Sequence, residues 1–307
     1  MFSYAARRLL EAIPTLLAIV ALSFFLMHAA PGGPFDSERA LPPEIEANLL
    51  KAYNLDQPVW MQFVLYLKGA ALGDFGPSFT YKDFTVTELI AQGLPVSMRL
   101  GLSAIALAVL IGTSLGVTAA LRQNSATDYG VMGFAMVGIT IPNFVMAPLL
   151  TLVFGIWLNW LPVAGWGDGS LRHMVLPVVA LALPQIAIIS RLTRGGMIEV
   201  MRSNFVRTAR AKGLPERLVI WRHALRAALL PVVSYLGPAI AGLVTGSVVI
   251  ETIFALPGIG RYFVQGAINR DYTLVMGTVI TYGSLIVVMN LLVDLVYGLM
   301  DPRVRYD

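Results

Sequence analysis

The chain has 307 residues, 57% of them hydrophobic and 13% charged, with a net charge of +4 and no cysteine; its mean hydropathy is +0.72. A water-soluble domain of this size needs more polar surface, so the composition points to a bilayer as the solvent, and the lack of thiols excludes disulfides, thiolate metal sites and cysteine nucleophiles. His28, His173 and His223 are too widely separated for metal-ligand spacing, and the cations cluster between apolar stretches, where membrane topology explains them better than nucleic acid does.

A bilayer core of about 30 Å takes roughly 20 apolar residues of helix. Six stretches reach that length: Leu9–Ala30, Val96–Leu121, Val131–Leu158, His173–Ser190, Ala227–Phe254 and Thr273–Leu299. The expected fold is therefore all-α, a polytopic membrane protein with six transmembrane helices. The first stretch follows Arg7 and Arg8; its length and the five later spans favour an uncleaved anchor (residues 1–30) over a signal peptide. Residues 31–95 carry four cations against eight acids, net −4, and include the amphipathic pieces PPEIEANLLKAYNL and VWMQFVLYLKGAAL. They are expected to form a small helical extracytoplasmic cap. Residues 96–307 would then be a five-helix core. Pro142, Pro148, Pro177, Pro184, Pro231 and Pro238 lie in or beside its spans, and kinks rather than breaks are predicted, because buried neighbours can re-satisfy the freed carbonyls. The two halves share no repeat, which argues against an inverted-repeat transporter.

Two motifs suggest enzymes and are better read otherwise. Gly112-Thr113-Ser114-Leu115-Gly116 matches G-x-S-x-G, but mid-span small residues let helices approach closely, whereas a nucleophile elbow needs a strand-to-helix turn. Gly165-Trp166-Gly167-Asp168 resembles the G-x-G-D of intramembrane aspartyl proteases, with Asp294 as second acid; this is the enzymatic alternative, and it fails if the two carboxylates lie at different depths. No P-loop and no H-E-x-x-H occurs. Glu251 and Asp294 fall near span ends, where a structural pairing role competes with a substrate role; on a path, Glu251 would attract a cationic end such as a peptide amino terminus.

The densest charge lies from Ser190 to Arg226, with nine cations (Arg191, Arg194, Arg202, Arg207, Arg210, Lys212, Arg217, Arg222, Arg226) against Glu199 and Glu216, net +7. The positive-inside rule places this loop (191–226) in the cytoplasm, together with both termini, and the acidic loop outside. Ile198, Met201, Phe205 and Ala209 recur at helical spacing, so an amphipathic helix is predicted. Gly213 suits its C-terminal cap, and Pro215 suits the first turn of a new helix near Glu216. A helix-turn-helix elbow results. Basic residues alone would also fit anionic lipid headgroups, but lipid binding needs no Gly-x-Pro bend, whereas seating a helix in another protein's groove does need a defined shape.

With those residues in view, Ala209-Arg210-Ala211-Lys212-Gly213 and the helix after it resemble the cytoplasmic "EAA" loop of permease subunits of type I ATP-binding-cassette importers. The chain has Arg207-Thr208-Ala209 where E-A-A is usual, and RTARAKGL with RHAL are the forms of the dipeptide and oligopeptide branch. ARRLLEAIPTLLAI, GDFGPSFTYKDFTV, IPNFVMAPLL, LNWLPVAGW, VIETIFALPGIGRYFVQGAINRDYTLVMG and the closing DPRVRY extend the likeness, to B-type subunits of oligopeptide permeases, over nearly the whole chain. The resemblance implies a type I importer permease in a bacterial inner membrane, paired with a related C-type permease, two cytoplasmic ATPases that hold ATP and magnesium, and an external peptide-binding protein. This chain would bind no cofactor and hydrolyse no ATP itself; peptide and membrane lipid are its other contacts. Arg207, Thr208, Ala209, Arg210, Ala211, Lys212, Gly213, Leu214, Pro215 and Glu216 would form the ATPase-coupling loop. ETIFALPGIG is a candidate outer gate, with Glu251 on the path and Pro257, Gly258 and Gly260 making a tight surface turn; an ordinary loop is the alternative.

Overall fold

The computed structural model describes residues 2–29, 50–51, 53–81 and 83–300. Within them the chain is mainly helical, and its strand-type pairing is one isolated antiparallel bridge between Pro77 and Thr85. Most of PPEIEANLLKAYNL, all of DPRVRY, and the side chains of Arg7, Arg8 and Asp294 lie outside what is described.

Helix α1 (Phe2–Ala29) is followed by the short α2 (Val59–Ala71), which is VWMQFVLYLKGAAL as expected. Helix α3 (Val86–Leu121) starts ten residues before the predicted span. Its start is fixed by a capping box: Thr85 Oγ1 accepts from Glu88 N–H at 3.2 Å, and the Glu88 carboxylate accepts from Thr85 N–H at 2.8 Å. Pro95 lies inside this helix, not at its head.

The third predicted span, Val131–Leu158, is not one rod. Helix α4 (Ala126–Thr140) and α5 (Asn143–Leu150), which continues as a π-helical stretch Thr151–Trp157, are bent by 105° at Ile141–Pro142. Pro142 breaks the helix, because its ring lacks an N–H and pushes Ile141 into an extended conformation (ψ 116°). Helix α4 has 15 residues, about 22 Å, too short to cross alone. Among the described residues five other stretches are long and apolar enough to cross: Leu10–Ala29, Val86–Leu121, Leu171–Met201, Leu230–Ile253 and Tyr272–Val293.

The fourth of the six, α6 (Leu171–Met201), continues through Pro177 and Pro184 and overruns its predicted end by eleven residues. Arg191 and Arg194 therefore belong to a helix, not to the loop. Next come α7 (Asn204–Ala211), α8 (Glu216–Leu218), a π-helical stretch Val219–Ala224 and α9 (Leu225–Ala228). The fifth span is divided into α10 (Leu230–Val244) and α11 (Val248–Ile253) by Gly246 at φ +88°. Helices α12 (Gly260–Ile268) and α13 (Tyr272–Met300) close the described chain.

The main core runs between α3, α6, α10 and α11, around Leu100, Ala104, Ala108, Leu181, Ile189 and Phe254. Small residues set the spacing, as expected for Gly112 and Gly116: an added Cβ at Gly116 would lie 2.5 Å from Ser190 O in α6, and one at Gly101 would lie 2.6 Å from Leu243 O in α10. Ser114 faces outward and donates to Leu110 O at 2.7 Å, so it is no nucleophile. Helix α1 rides on the periphery, with Val20 and Phe24 against Met276 of α13.

Replacing Gly116 with Val is expected to destabilise the fold by about 1–3 kcal/mol, since backbone on the opposing helix cannot retreat cheaply. Gly130, which faces open space, is the control. Thermal unfolding in detergent should separate the two variants by several degrees.

Candidate functional sites at the two ends of α3

The basic elbow is present. Lys212 N–H donates to Thr208 O (3.1 Å), Gly213 N–H to Arg210 O (2.9 Å) and Leu214 N–H to Ala209 O (3.4 Å), and Gly213 sits at φ +76°. That is a glycine-dependent helix ending. Pro215 then accepts from Leu218 and Val219 N–H (2.9 and 3.1 Å) to open α8. Arg210 grips Glu216 across the bend, Nη2 to Oε1 at 2.6 Å and Nε to Oε2 at 3.1 Å. These hydrogen bonds hold Glu216 below, and Arg210 above, their ordinary pKa values. The pair therefore contributes in full above the unfolded carboxylate value of 4.5 and is lost as pH falls through the lower folded value. Both side chains are about half exposed, so the contribution is under about 1 kcal/mol.

The elbow's apolar face differs from the predicted one. Helix α6 stops at Met201, and α7 begins afresh after Arg202–Ser203, so Ile198 and Met201 do not share its register. Val206 and Ala209 are buried, and Phe205 is 48% exposed. Val206 and Ala209 join Val219, Ala224 and Ala228 in a small core against Val117 of α3 and Met197 of α6. Phe205, Leu218 and Trp221 stay uncovered (48%, 36% and 62%), and Pro215, Arg217, Leu218 and Trp221 line a shallow hollow. Arg207, Thr208, Ala211 and Lys212 also face outward.

Nearby, Arg194 of α6 makes a two-pronged ion pair with buried Asp128 of α4, both contacts at 2.6 Å, and Asn124 N–H adds a 2.9 Å bond to the same carboxylate. The sequence showed Arg194 only as one cation of the basic segment and did not mark Asp128, because a bidentate pair 66 positions apart leaves no local spacing signal.

At the opposite end of α3 lies the predicted gate. Glu251 is 2% exposed. Its Oε1 accepts from Ser97 Oγ (2.6 Å), its Oε2 from Gly260 N–H (2.9 Å), and Ser97 Oγ accepts from Ile259 N–H (2.9 Å). The pairing role thus has a physical partner, though it is a hydroxyl and backbone donors, not a cation. Gly258 and Gly260 are not turn glycines here: neither has positive φ, and Ala255 (φ +50°) carries the left-handed turn. They make room, since a Cβ at Gly258 would overlap the Glu251 carboxyl group, one at Gly260 would lie 2.9 Å from Oε2 and one at Gly246 2.6 Å from Oε1. The loop is no ordinary surface connection. Phe254, Leu256 and Ile259 are buried, with Pro257 half-buried beside them.

Asp168 lies in an exposed turn at this same end, where Gly165 N–H bonds Phe254 O at 2.8 Å. Asp294 is 22 residues into α13, about 33 Å along the helix from Tyr272, which follows the same end's loop. Two positions that far apart in depth cannot form an acid pair, which removes the protease alternative.

Residues 112–306 match the family described as "Binding-protein-dependent transport system inner membrane component", and residues 1–101 match the N-terminal component of such systems. The chain is 58% identical over 306 residues to the oligopeptide transport system permease protein OppB of Salmonella typhimurium and 56% identical to that of Escherichia coli K12, with 100% of both chains covered in each case. It is 46% identical to the dipeptide transport system permease protein DppB of Bacillus subtilis, covering 99% of this chain and 98% of that one. A crystal structure of an amino acid ABC transporter with histidines shares the fold at TM-score 0.50 and 17% identity, over 71% of this chain and 95% of that one.

Glu251→Ala is expected to strand Gly260 N–H and Ser97 Oγ and cost roughly 3 kcal/mol, two unsatisfied buried groups at about 1–3 kcal/mol each. Glu251→Gln, which can still accept from Gly260 and donate to Ser97, should cost about half of that or less. Denaturation midpoints of the purified proteins check the order; equal losses would contradict the hydrogen-bonded cradle.

Proposed function

The chain belongs to the family of inner-membrane components of binding-protein-dependent transport systems, and from that premise we propose that it is the permease subunit of an ATP-driven oligopeptide importer. It forms half of the peptide path and couples that path to cytoplasmic ATPases. Full-length identity of 56–58% to oligopeptide permeases carries the substrate class. The 46% identity to a dipeptide permease makes dipeptides the second reading. The chain is not itself an enzyme: ATP and magnesium belong to two partner ATPases, and a C-type permease and an extracytoplasmic peptide-binding protein complete the assembly. The net +7 of residues 190–226 supports a cytoplasmic elbow, and with it cytoplasmic termini, in a bacterial inner membrane.

The elbow is suited to transmit force. Its inner face is packed against α3 and α6, and its outer face presents Phe205, Leu218 and Trp221 amid Arg207, Lys212 and Arg217. An apolar patch with a basic rim fits an acidic-rimmed groove on an ATPase. Closure of the ATPases would move residues 207–216 as one body and turn α6 and the helices after the elbow. ATP and the binding protein shift the equilibrium only by binding the inward-open and outward-open states with different affinity. At the far end, Glu251, Pro257, Gly258 and Gly260 act as a gate by seating the 254–260 loop in the core; Glu251 holds that loop shut rather than touching peptide.

In a reconstituted complex, Gly213→Val should cost about 1–2 kcal/mol of backbone strain at φ +76°. It should leave membrane insertion intact and uncouple ATP hydrolysis from peptide uptake. Copurification should recover a second permease and ATPases; unchanged coupled transport by the variant would remove the elbow from the mechanism.

A further inference from the structure

We propose that Arg99, on the exposed face of α3, is a carboxylate-binding residue that receives the carboxyl end of the peptide at the outer mouth of the path. This rests on the peptide-importer reading. Arg99 lies 13 residues into α3, about 20 Å from its start. Ser97, two residues earlier, points into the core to Glu251; a rotation of about 200° turns Arg99 away from it, onto the stripe of Gln92, Pro95, Leu102 and Ala106. On an apolar, span-length helix a guanidinium would cost a few kcal/mol against hydrocarbon, which by default marks a functional position.

The setting is built for it. Arg99 lies over the Trp166 ring, 6.0 Å from its centroid, and Trp166 is anchored on the main core. Gly169, buried at φ +76°, is cut back to admit the side chain: a Cβ there would lie 2.6 Å from Arg99 Nη1. The turn is held by Gly169 N–H to Trp166 O and Ser170 N–H to Gly167 O, both 3.0 Å. Its Gly165 bonds Phe254 O at 2.8 Å, so it abuts the loop that Glu251 seats. Yet among the described residues none of the five guanidinium donors has an acceptor, and the exposed Asp168 of the same turn makes no ion pair with it. A planar donor fork left open beside an indole matches a carboxylate with an apolar side chain next to it, which is what a peptide's last residue presents. A residue serving lipid headgroups would extend along the helix surface toward them rather than being held against Trp166 and Gly169.

The test uses the complete reconstituted importer with saturating binding protein, and measures uptake of tetra-alanine and of its C-terminal amide. Arg99→Gln should lower uptake of the free acid about tenfold or more, the worth of a hydrogen bond to a charged group. Uptake of the amide should stay within about twofold, and Arg99→Lys should retain part of the preference. Equal loss for both peptides, failure of the Gln variant to assemble, or an unchanged acid-to-amide ratio would overturn the proposal. So would an effect that appears only when anionic lipid content is varied, which would assign Arg99 to headgroups. If the unaltered complex takes up neither peptide, the importer reading itself falls, and that result is distinct from each of the others.

Discussion

Helix α3 and its contact with α6 are the constraint on which the rest hangs. In hydrocarbon there is no hydrophobic drive between helices, so association depends on close van der Waals approach. Gly112 and Gly116 bring α3 against the backbone of α6, and Gly101 brings it against α10. The consequence is a rod that touches both candidate sites. Ser97 pins the 254–260 loop at one end, and Val117 supports the elbow at the other, 20 residues and about 30 Å away.

Around that rod the structure is unevenly stiff. The elbow is packed on α3 and α6 through a small closed core on its inner face, and α4 is tied to α6 through the Asp128–Arg194 pair. Arg194 is partly exposed while the Asp128 side chain is covered, so the bidentate pair is a short tether between α4 and α6 at that end. The departures from regular helix lie elsewhere: the 105° bend between α4 and α5, the π-helical stretches Thr151–Trp157 and Val219–Ala224, and the Gly246 break. Such departures are where a helical membrane protein can change shape without unmaking its core. The Gly246 break precedes the predicted gate and the Val219–Ala224 stretch adjoins the elbow, so each site has an irregular segment beside it.

What was legible in the sequence was what depends on local residues. Gly213 and Pro215 specify the elbow because glycine alone readily takes φ +76° and proline cannot continue the preceding helix. The apolar runs specified the spans, but hydropathy put their edges wrong where a cap outranks it: Thr85 and Glu88 start α3 in polar sequence. Pro142 and Pro184 look alike as letters, yet one breaks a helix and the other is absorbed, because only the surrounding packing decides whether freed carbonyls are re-satisfied. Glu251 was visible as an expensive charge, but its partners are 154 and 9 residues away, and one is a backbone N–H that no side-chain pattern reports. Gly258 and Gly260 looked like turn residues for the same reason. Their actual task, clearing space for a carboxyl group, is a tertiary fact.

Glu251 and Arg99 show how one helix end can serve opposite purposes with two charges. Ser97 and Arg99 are neighbours on α3, on opposite faces. The inner face buries an acid and gives each of its oxygens a donor, a hydroxyl and a backbone N–H, so the acid holds structure. The outer face leaves a base that has no acceptor among the described residues, beside an anchored indole. Burial sets the difference: a fully paired group in a low-dielectric interior resists exchange, whereas an exposed, unpaired one exchanges readily with whatever anion arrives. Loading and gating would then be joined over two residues of backbone, because a ligand that shifts Arg99 shifts the segment carrying Ser97, and Ser97 holds the loop.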